Sequence, residues 1–432
     1  MKENALKTFS VGPLNVHVLP STTYKTNTIL LHMRSPLTQE TVTKRALLPY
    51  VLQNGTKDYP SRQELRQYLD ELYGATLNVD VTKKGEHHIM TLRMEVANEK
   101  FLSDRRSLLE RALELFSSVL LSPKGTDRAF DSSIVEGEKR TLKQKLASVY
   151  DDKMRYANKR LTEEMCENEP FGLFVLGNEE DLPSINETTL YEYYKEVLAK
   201  DQFDLYIIGD VNDNEMKKLI EKHFDLLSSF PKRESSSTTT IQEYFKKDHR
   251  EIVEEQDVQQ GKLHIGYRTQ LTYGDDDYFA LQLFNGVFGG FSHSKLFINV
   301  REKASLAYYA ASRVESHKGL LIVMSGIESN KYNEATKIIF EQMDDMKAGK
   351  FTEEDLEQTK AVLKNQLLET MDVPRGRIEL EYHNQLSTKN RPLDHWIEEL
   401  DKIKKEDIVR VANKIQLDTV YFLKGKEESS NE

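Results

Sequence analysis

The sequence predicts an α+β fold of two homologous α/β sandwich domains, each a sheet with helices on one face, enclosing a cleft. Two observations support this: the order of elements in the first half of the 432 residues recurs in the second, and a Ser/Thr-rich stretch separates the halves. We expect an N-terminal domain at 1–230, a linker at 231–242 and a C-terminal domain at 243–432. A polar segment that begins with Pro231 cannot bury a core.

The internal repeat consists of segments that occur in the same order in both halves. Thr352, followed three residues later by Asp355, is an N-cap signal for a helix in the second half. Apolar residues at three- and four-residue spacing mark the amphipathic helices. The recurring segments are an opening strand (28–33, 263–267), a second β-rich run (88–94, 319–326), an amphipathic helix (108–119, 335–343), a long helical region (130–165, 353–385) and a closing apolar strand (205–208, 420–423).

Composition excludes several classes of protein. The net charge is −11 with acids and bases interspersed, whereas nucleic-acid binding needs a basic patch. Cys166 is the single cysteine, so an internal disulfide is excluded and a reducing, cytoplasmic location is expected. No apolar run approaches the roughly 18–20 residues that span a bilayer. The first residues show no apolar signal segment, so we do not expect secretion.

Standard catalytic motifs are missing from the sequence. It has no Walker loop, G-x-G-x-x-G, G-x-S-x-G, C-x-x-C, H-E-x-x-H or H-x-x-E-H. His87 and His88 form the only adjacent histidine pair, and on a strand their side chains would point to opposite faces. Together with Glu86 they leave open a rebuilt metal site, which we do not favour.

Two neighbouring segments in the second half carry a family resemblance. They are 289–297, with the sequence GGFSHSKLF, and 301–308, with the sequence REKASLAY. Both resemble the second domain of the pitrilysin/insulinase family, inverted zincins that include the mitochondrial processing peptidases. In the first half, 55–61 resembles the turn after the family's zinc helix, and 69–74 resembles the approach to its substrate-binding edge strand. The likeness covers nearly the whole chain and is closest to catalytically inactive bacterial members.

The resemblance implies a degenerate zinc site. The family's H-x-x-E-H motif falls on Ala46, Pro49 and Tyr50. Ala46 has no ligand atom and Pro49 has no basic group. Tyr50 has only a phenol, which is a poor zinc ligand at neutral pH. The family's next helix carries two glutamates separated by six residues, which match Glu138 and Lys145 here. A cation at the ligand position repels a divalent metal, so no metal and no cofactor is expected in this chain.

Other functional positions of the family are kept. Arg301 and Tyr308 match its Arg/Tyr pair, which implies contact with a substrate carbonyl or its oxyanion in a partner's site. Spacing alone favours a helix-terminal cation and an ordinary strand residue, and the flanking match reverses that preference. Four further residues match the edge strand that pairs with an extended substrate, although they also suit a half-buried strand. They are Thr76, Leu77, Asn78 and Val79.

The resemblance therefore implies a non-catalytic, zinc-less subunit of a two-chain zinc metallopeptidase that processes peptides or proteins. Its expected partner is a homologous subunit with an intact H-x-x-E-H motif, in a heterodimer, and a homodimer stays open. Zinc is expected only in the partner subunit. The alternative is a peptide-binding or scaffold protein with no proteolytic role. Neither nucleic acid nor a membrane span is expected.

Overall fold

The computed structural model describes residues 6–103, 107–230, 248–387 and 389–426. The chain forms two compact units. The first comprises Met1–Ser148, Leu173–Ser236 and Pro374–Ile378, and the second Val149–Gly172, Ser237–Val373 and Glu379–Glu432. The predicted linker at 231–242 lies outside the described residues, and the boundaries 1–230 and 243–432 stay predictions. Packing places Val149–Gly172, which precedes that linker, with the second unit.

The first unit contains a mixed sheet of six strands. They are β1 (Lys7–Val11), β2 (Leu14–Pro20), β3 (Thr26–Pro36), β4 (Thr76–Lys84), β5 (His87–Ala97) and β6 (Gln202–Gly209). The strand order is β1-β2-β6-β3-β5-β4. β2 and β6 are parallel, and the other neighbours are antiparallel. β4 therefore forms one edge of the sheet.

The α-helices complete the two units. They are, in chain order, α1 (Val42–Leu52), α2 (Arg62–Glu71), α3 (Leu108–Leu121), α4 (Ser132–Asp151), α5 (Lys153–Met165), α6 (Glu187–Lys200), α7 (Asp213–His223), α8 (Tyr278–Asn285), α9 (Tyr332–Lys347), α10 (Glu353–Met371), α11 (Pro374–Leu386), α12 (Leu393–Lys402) and α13 (Lys405–Lys414). In the first unit, alternate strand residues such as Leu31 and Met33 share a core with Ala112 and Phe116 of α3. Side chains repeat every 2.0 residues on a strand and every 3.6 residues on a helix, so each element has one apolar face, and these faces pack together in the core. Within the described residues, no helix is both long and apolar enough to cross a membrane.

The second unit contains a sheet of five strands. They are β7 (Arg250–Gln256), β8 (Gly261–Arg268), β9 (Ala307–Glu315), β10 (Leu320–Ile327) and β11 (Gln416–Gly425), in the order β7-β11-β8-β10-β9. One face packs on helices that lie between β8 and β11 in the chain. On the other face, Ala157 and Leu161 of α5 pack on Ile322 and Tyr421. A Cβ at Gly266 would lie 2.6 Å from Met165 Sδ, so glycine permits this close approach. Helix α5 thus adds a layer to the single helical layer that the sequence predicts.

The predicted α+β class is confirmed, and the capping box at Thr352 is present, with Asp355 N–H donating to the Thr352 hydroxyl. Each of the two predicted long helical regions is divided into two helices. In the first region, α4 ends at Asp151 and α5 begins after Asp152, whose side chain caps α5 by accepting a hydrogen bond from the Arg155 amide at 3.1 Å. The second breaks at extended Val373, because a residue before proline is driven out of the helical region.

Candidate functional site: a degenerate metal site and an adjoining groove

Helix α1 is anchored by a buried arginine. Arg45 is fully buried and donates to Asp201 Oδ2 at 2.7 Å and to the Tyr193 hydroxyl at 3.2 Å. It also donates to the backbone carbonyls of Met33 at 2.9 Å and His88 at 3.1 Å. A buried guanidinium needs such compensation, since an unpaired charge in the interior is costly. These contacts fix the helix that carries the predicted zinc positions against the sheet.

The predicted zinc-helix positions lie on the C-terminal half of α1. Ala46 is fully buried and Pro49 is buried, while Tyr50 is half-buried. The sequence left open whether the helix starts near Pro49. It begins at Val42, so Pro49 is interior and cannot donate to the carbonyl of Arg45. The helix nevertheless continues to Leu52. These residues supply a methyl group, a pyrrolidine ring and a phenol where the family has two imidazoles and a carboxylate.

The structure brings two of the four degenerate positions into contact. Lys145 on α4 places its Nζ 3.6 Å from the centroid of the Tyr50 ring. Both side chains are half-buried. Such a cation–π contact contributes about 0.5–2 kcal/mol, with the larger value where water is excluded. In the described part of the chain, no carboxylate forms an ion pair with Lys145. An ammonium on an aromatic face thus lies beside the position where the family would hold a metal.

The kept glutamate of the family pattern has other partners. Glu138 is buried, and its Oε1 accepts from Asn54 Nδ2 at 2.8 Å and from Arg62 Nη2 at 3.2 Å. Asn54 also donates to the Tyr50 carbonyl at 2.7 Å. An amide and a guanidinium therefore satisfy the carboxylate.

The rebuilt metal site based on Glu86, His87 and His88 gains no support. Across the described ranges, no three His, Cys, Asp or Glu side chains are arranged to hold a metal ion. Burial, reinforced by Arg45, lowers the pKa of His88 to about 3. Burial, reinforced by Arg34, lowers the pKa of His87 to about 4. Both rings are neutral at physiological pH.

A groove of about 520 Å³ lies between α2 and the start of β4. Helix α2 begins at a capping box in which Ser61 and Glu64 satisfy each other's backbone amides. Apolar and charged side chains of α2 and residues at the start of β4 line the groove. The residues around it are Gln53, Arg62, Leu65, Arg66, Leu69, Asp70, Gly74, Ala75, Thr76 and Leu77.

The predicted substrate strand borders this groove. β4 pairs with β5 on one side and, within the described chain, with no strand on the other. Thr76 and Asn78 are exposed, Leu77 is buried and Val79 is half-buried. Gln53 Nε2 donates to the Leu77 carbonyl at 2.6 Å, which occupies one backbone acceptor. The role of β4 as a substrate-binding strand stays a prediction.

The predicted Arg/Tyr pair lies in the second unit. Arg301 belongs to a wide helical turn, Phe297–Lys303, with its guanidinium carbon 4.5 Å from the Phe297 ring centroid and its Nε 3.7 Å from Glu302 Oε1. Tyr308 lies on the edge strand β9 and is 73% exposed. Among the described residues, no hydrogen bond joins the two side chains. Their roles in substrate contact stay predictions.

The glycine pair of the resembling segment has a packing role. A Cβ at Gly289 would lie 2.5 Å from Ser312 Oγ and 2.8 Å from the Ser312 backbone nitrogen. At Gly290 it would lie 2.9 Å from Asn285 Nδ2. The first glycine therefore allows the wide turn at Gly286–Gly290 to approach strand β9. Sequence reasoning missed this role, as it missed the groove and the contact between α1 and α4.

Comparisons with known proteins show what the chain is similar to. The profile of the "Peptidase M16 inactive domain" matches residues 184–363. The "Probable inactive metalloprotease YmfF" of Bacillus subtilis is 50% identical over 422 residues, 97% of each chain. The "Mitochondrial-processing peptidase subunit beta" of Saccharomyces cerevisiae is 24% identical over 363 residues, 78% of this chain and 74% of that subunit. A crystal structure of a conserved protein from Enterococcus faecalis superposes with a TM-score of 0.91 at 33% identity, covering 98% of this chain and all of that one.

Proposed function

Because this chain belongs to the peptidase M16, or pitrilysin/insulinase, family and is an inactive member of it, we propose that it is the zinc-less subunit of a two-chain metallopeptidase. The contact between Lys145 and Tyr50 carries the proposal most directly. An ammonium held on an aromatic ring at the ligand positions opposes metal binding by charge and removes the space for a ligand. In such an assembly, catalysis comes from the other chain.

The proposed partner is a homologous subunit with an intact H-x-x-E-H motif that holds the zinc, joined in a heterodimer. A homodimer would bring no metal, so we favour the heterodimer. In this assembly the chain contributes Arg301 and Tyr308 to the partner's site and half of the chamber for peptide or protein substrates. The high exposure of Tyr308 supports that assignment, because its hydroxyl is open to another molecule. A cytoplasmic location is part of the proposal.

The groove beside β4 favours a second candidate function. An unpaired edge strand next to a pocket of about 520 Å³ can bind an extended peptide through backbone hydrogen bonds and a side-chain subsite. A peptide-binding or scaffold protein would need nothing more. Under this alternative, Arg301 and Tyr308 have no substrate to contact.

Reconstitution with a paralogue from the same genome that carries H-x-x-E-H tests the proposal. We expect a stable complex on gel filtration and peptidase activity above that of the paralogue alone. Arg301→Ala in the complex should lower kcat by about 10²–10³-fold if the guanidinium donates to the developing oxyanion. Arg313→Ala, an exposed arginine on β9, is the matched control and should leave kcat unchanged.

Two results count against the two-chain proposal. One is failure to form a complex with any such paralogue, and the other is full activity of the Arg301→Ala complex. Peptide binding by the isolated chain, unaffected by the paralogue, would instead favour the scaffold function.

A further inference from the structure

The groove between α2 and β4 has a charge pattern that the proposed function does not use. Arg62 and Arg66 lie one turn apart on α2, and side chains four residues apart share a helix face. Both line the groove. Asp70 lies one further turn along and supplies the single carboxylate of the groove lining. The groove lining thus carries two guanidinium groups against one carboxylate.

The two guanidinium groups are available to a ligand to different degrees. Arg62 uses one Nη atom on Glu138 at 3.2 Å, but its side chain remains 72% exposed. Arg66 is exposed and, in the residues that the structure describes, forms no ion pair. Each guanidinium offers five N–H donors in a planar fork that matches a carboxylate. Arg66 can therefore bind a carboxylate in bidentate fashion without first giving up a partner.

The other residues that line the groove indicate what can carry that carboxylate. Leu65, which is buried, and Leu69, which is half-buried, offer apolar contact to methylene groups. Thr76 and Leu77 at the start of β4 also line the groove. On a strand added to β4, every second side chain points to the same face as Leu77. One side chain of an extended peptide thus enters the groove beside the arginines.

We propose that this groove is a specificity subsite for the glutamate or aspartate side chain of an extended peptide paired with β4. The proposal rests on the proposed function only in that a peptide engages this strand. The methylene groups contact Leu65 and Leu69, and the carboxylate accepts hydrogen bonds from Arg66 and from the free donors of Arg62. Charge-assisted pairs of this kind are stronger than neutral ones, although partial exposure screens them.

Fluorescence anisotropy with the full-length chain tests the subsite. The probes are three fluorescein-labelled nine-residue peptides of β-favouring sequence that differ only in a central Glu, Gln or Lys. In 50 mM NaCl we expect the Glu peptide to bind about fivefold or more tightly than the Gln peptide, and the Lys peptide to bind most weakly. Arg66→Gln should remove the preference, and Arg66→Glu should reverse it. Arg128→Gln, at an exposed arginine outside the groove, is the matched control and should keep the preference.

The outcomes separate this inference from the proposed function. Peptide binding without a charge preference, or a preference for Glu that survives Arg66→Glu, would overturn the subsite and leave β4 as a peptide strand. Binding of none of the three peptides, with far-UV circular dichroism confirming a folded chain, would overturn both the subsite and the peptide-binding role of β4.

Discussion

The ion pair between Arg45 and Asp201 gives the sharpest test of how α1 is held. Both side chains are almost inaccessible to water, with 0% and 4% of their surface exposed, and Nη1 and Oδ2 lie 2.7 Å apart. Asp201→Ala leaves the guanidinium with a phenol and two backbone carbonyls but no anion. Removal of one partner of a buried pair costs about 3–5 kcal/mol, because the remaining charge stays buried and uncompensated. That is a large share of the roughly 5–15 kcal/mol that stabilises a typical domain.

Urea denaturation followed by far-UV circular dichroism measures the effect. We expect the Asp201→Ala midpoint to fall by more than 1 M, given a slope of about 1–3 kcal/mol per molar urea. Asp127→Ala is the matched control. It breaks the pair with Lys57, in which the side chains are 91% and 53% exposed, and should cost less than about 1 kcal/mol. Equal midpoints for the two variants would refute the view that Arg45 anchors α1.

Three further predictions follow from buried groups and glycines. Burial lowers the pKa of both His88 and His264 to about 3, so the unfolded chain binds more protons between about pH 6.5 and 3. Stability should therefore fall as pH drops through this window, and a urea midpoint at pH 5 equal to that at pH 7.5 would contradict the assignment. Gly289→Ala should destabilise the chain by about 1–3 kcal/mol through overpacking against Ser312, measured by urea denaturation, and an unchanged midpoint would show that the turn can shift. Gly137→Ala, on α4 with only Arg140 Nη2 at 3.9 Å, should raise stability by about 0.5–1 kcal/mol in the same assay, and any loss would contradict the open space seen there.

Much of the fold could be predicted from the sequence because the two halves repeat their apolar periods. The opening, second and closing strands of each half and the amphipathic helices at 108–119 and 335–343 were expected where they occur, since alternation and 3.6-residue spacing are local signals. Strands β1, β2 and β7 were not predicted. Periodicity did not reveal the break between α4 and α5, because the capping residue Asp152 does not interrupt the 3.6-residue spacing of apolar residues in either helix. Nor could it assign α5 to the second unit. That choice depends on Gly266 and on the packing of Ala157 and Leu161, which are contacts between distant parts of the chain.

The candidate site also has parts that the sequence predicted and parts that depend on packing. The family resemblance placed its zinc motif on Ala46, Pro49 and Tyr50, and placed a further ligand position on Lys145. The ring contact that joins Tyr50 to Lys145 depends on how α1 and α4 pack, so no local pattern contains it. The groove was also missed, although the four-residue spacing of two arginines on α2 was visible. An exposed basic pair on a helix becomes informative only when a strand edge lies opposite it.

Zinc content measured together with peptidase activity tests the central claim most directly. The purified chain, the H-x-x-E-H paralogue and their complex would be analysed by inductively coupled plasma mass spectrometry and assayed on the same peptide. We predict no stoichiometric zinc and no activity in this chain, and one zinc per active heterodimer. One zinc per chain in the isolated protein, with peptidase activity lost on chelation, would contradict this prediction.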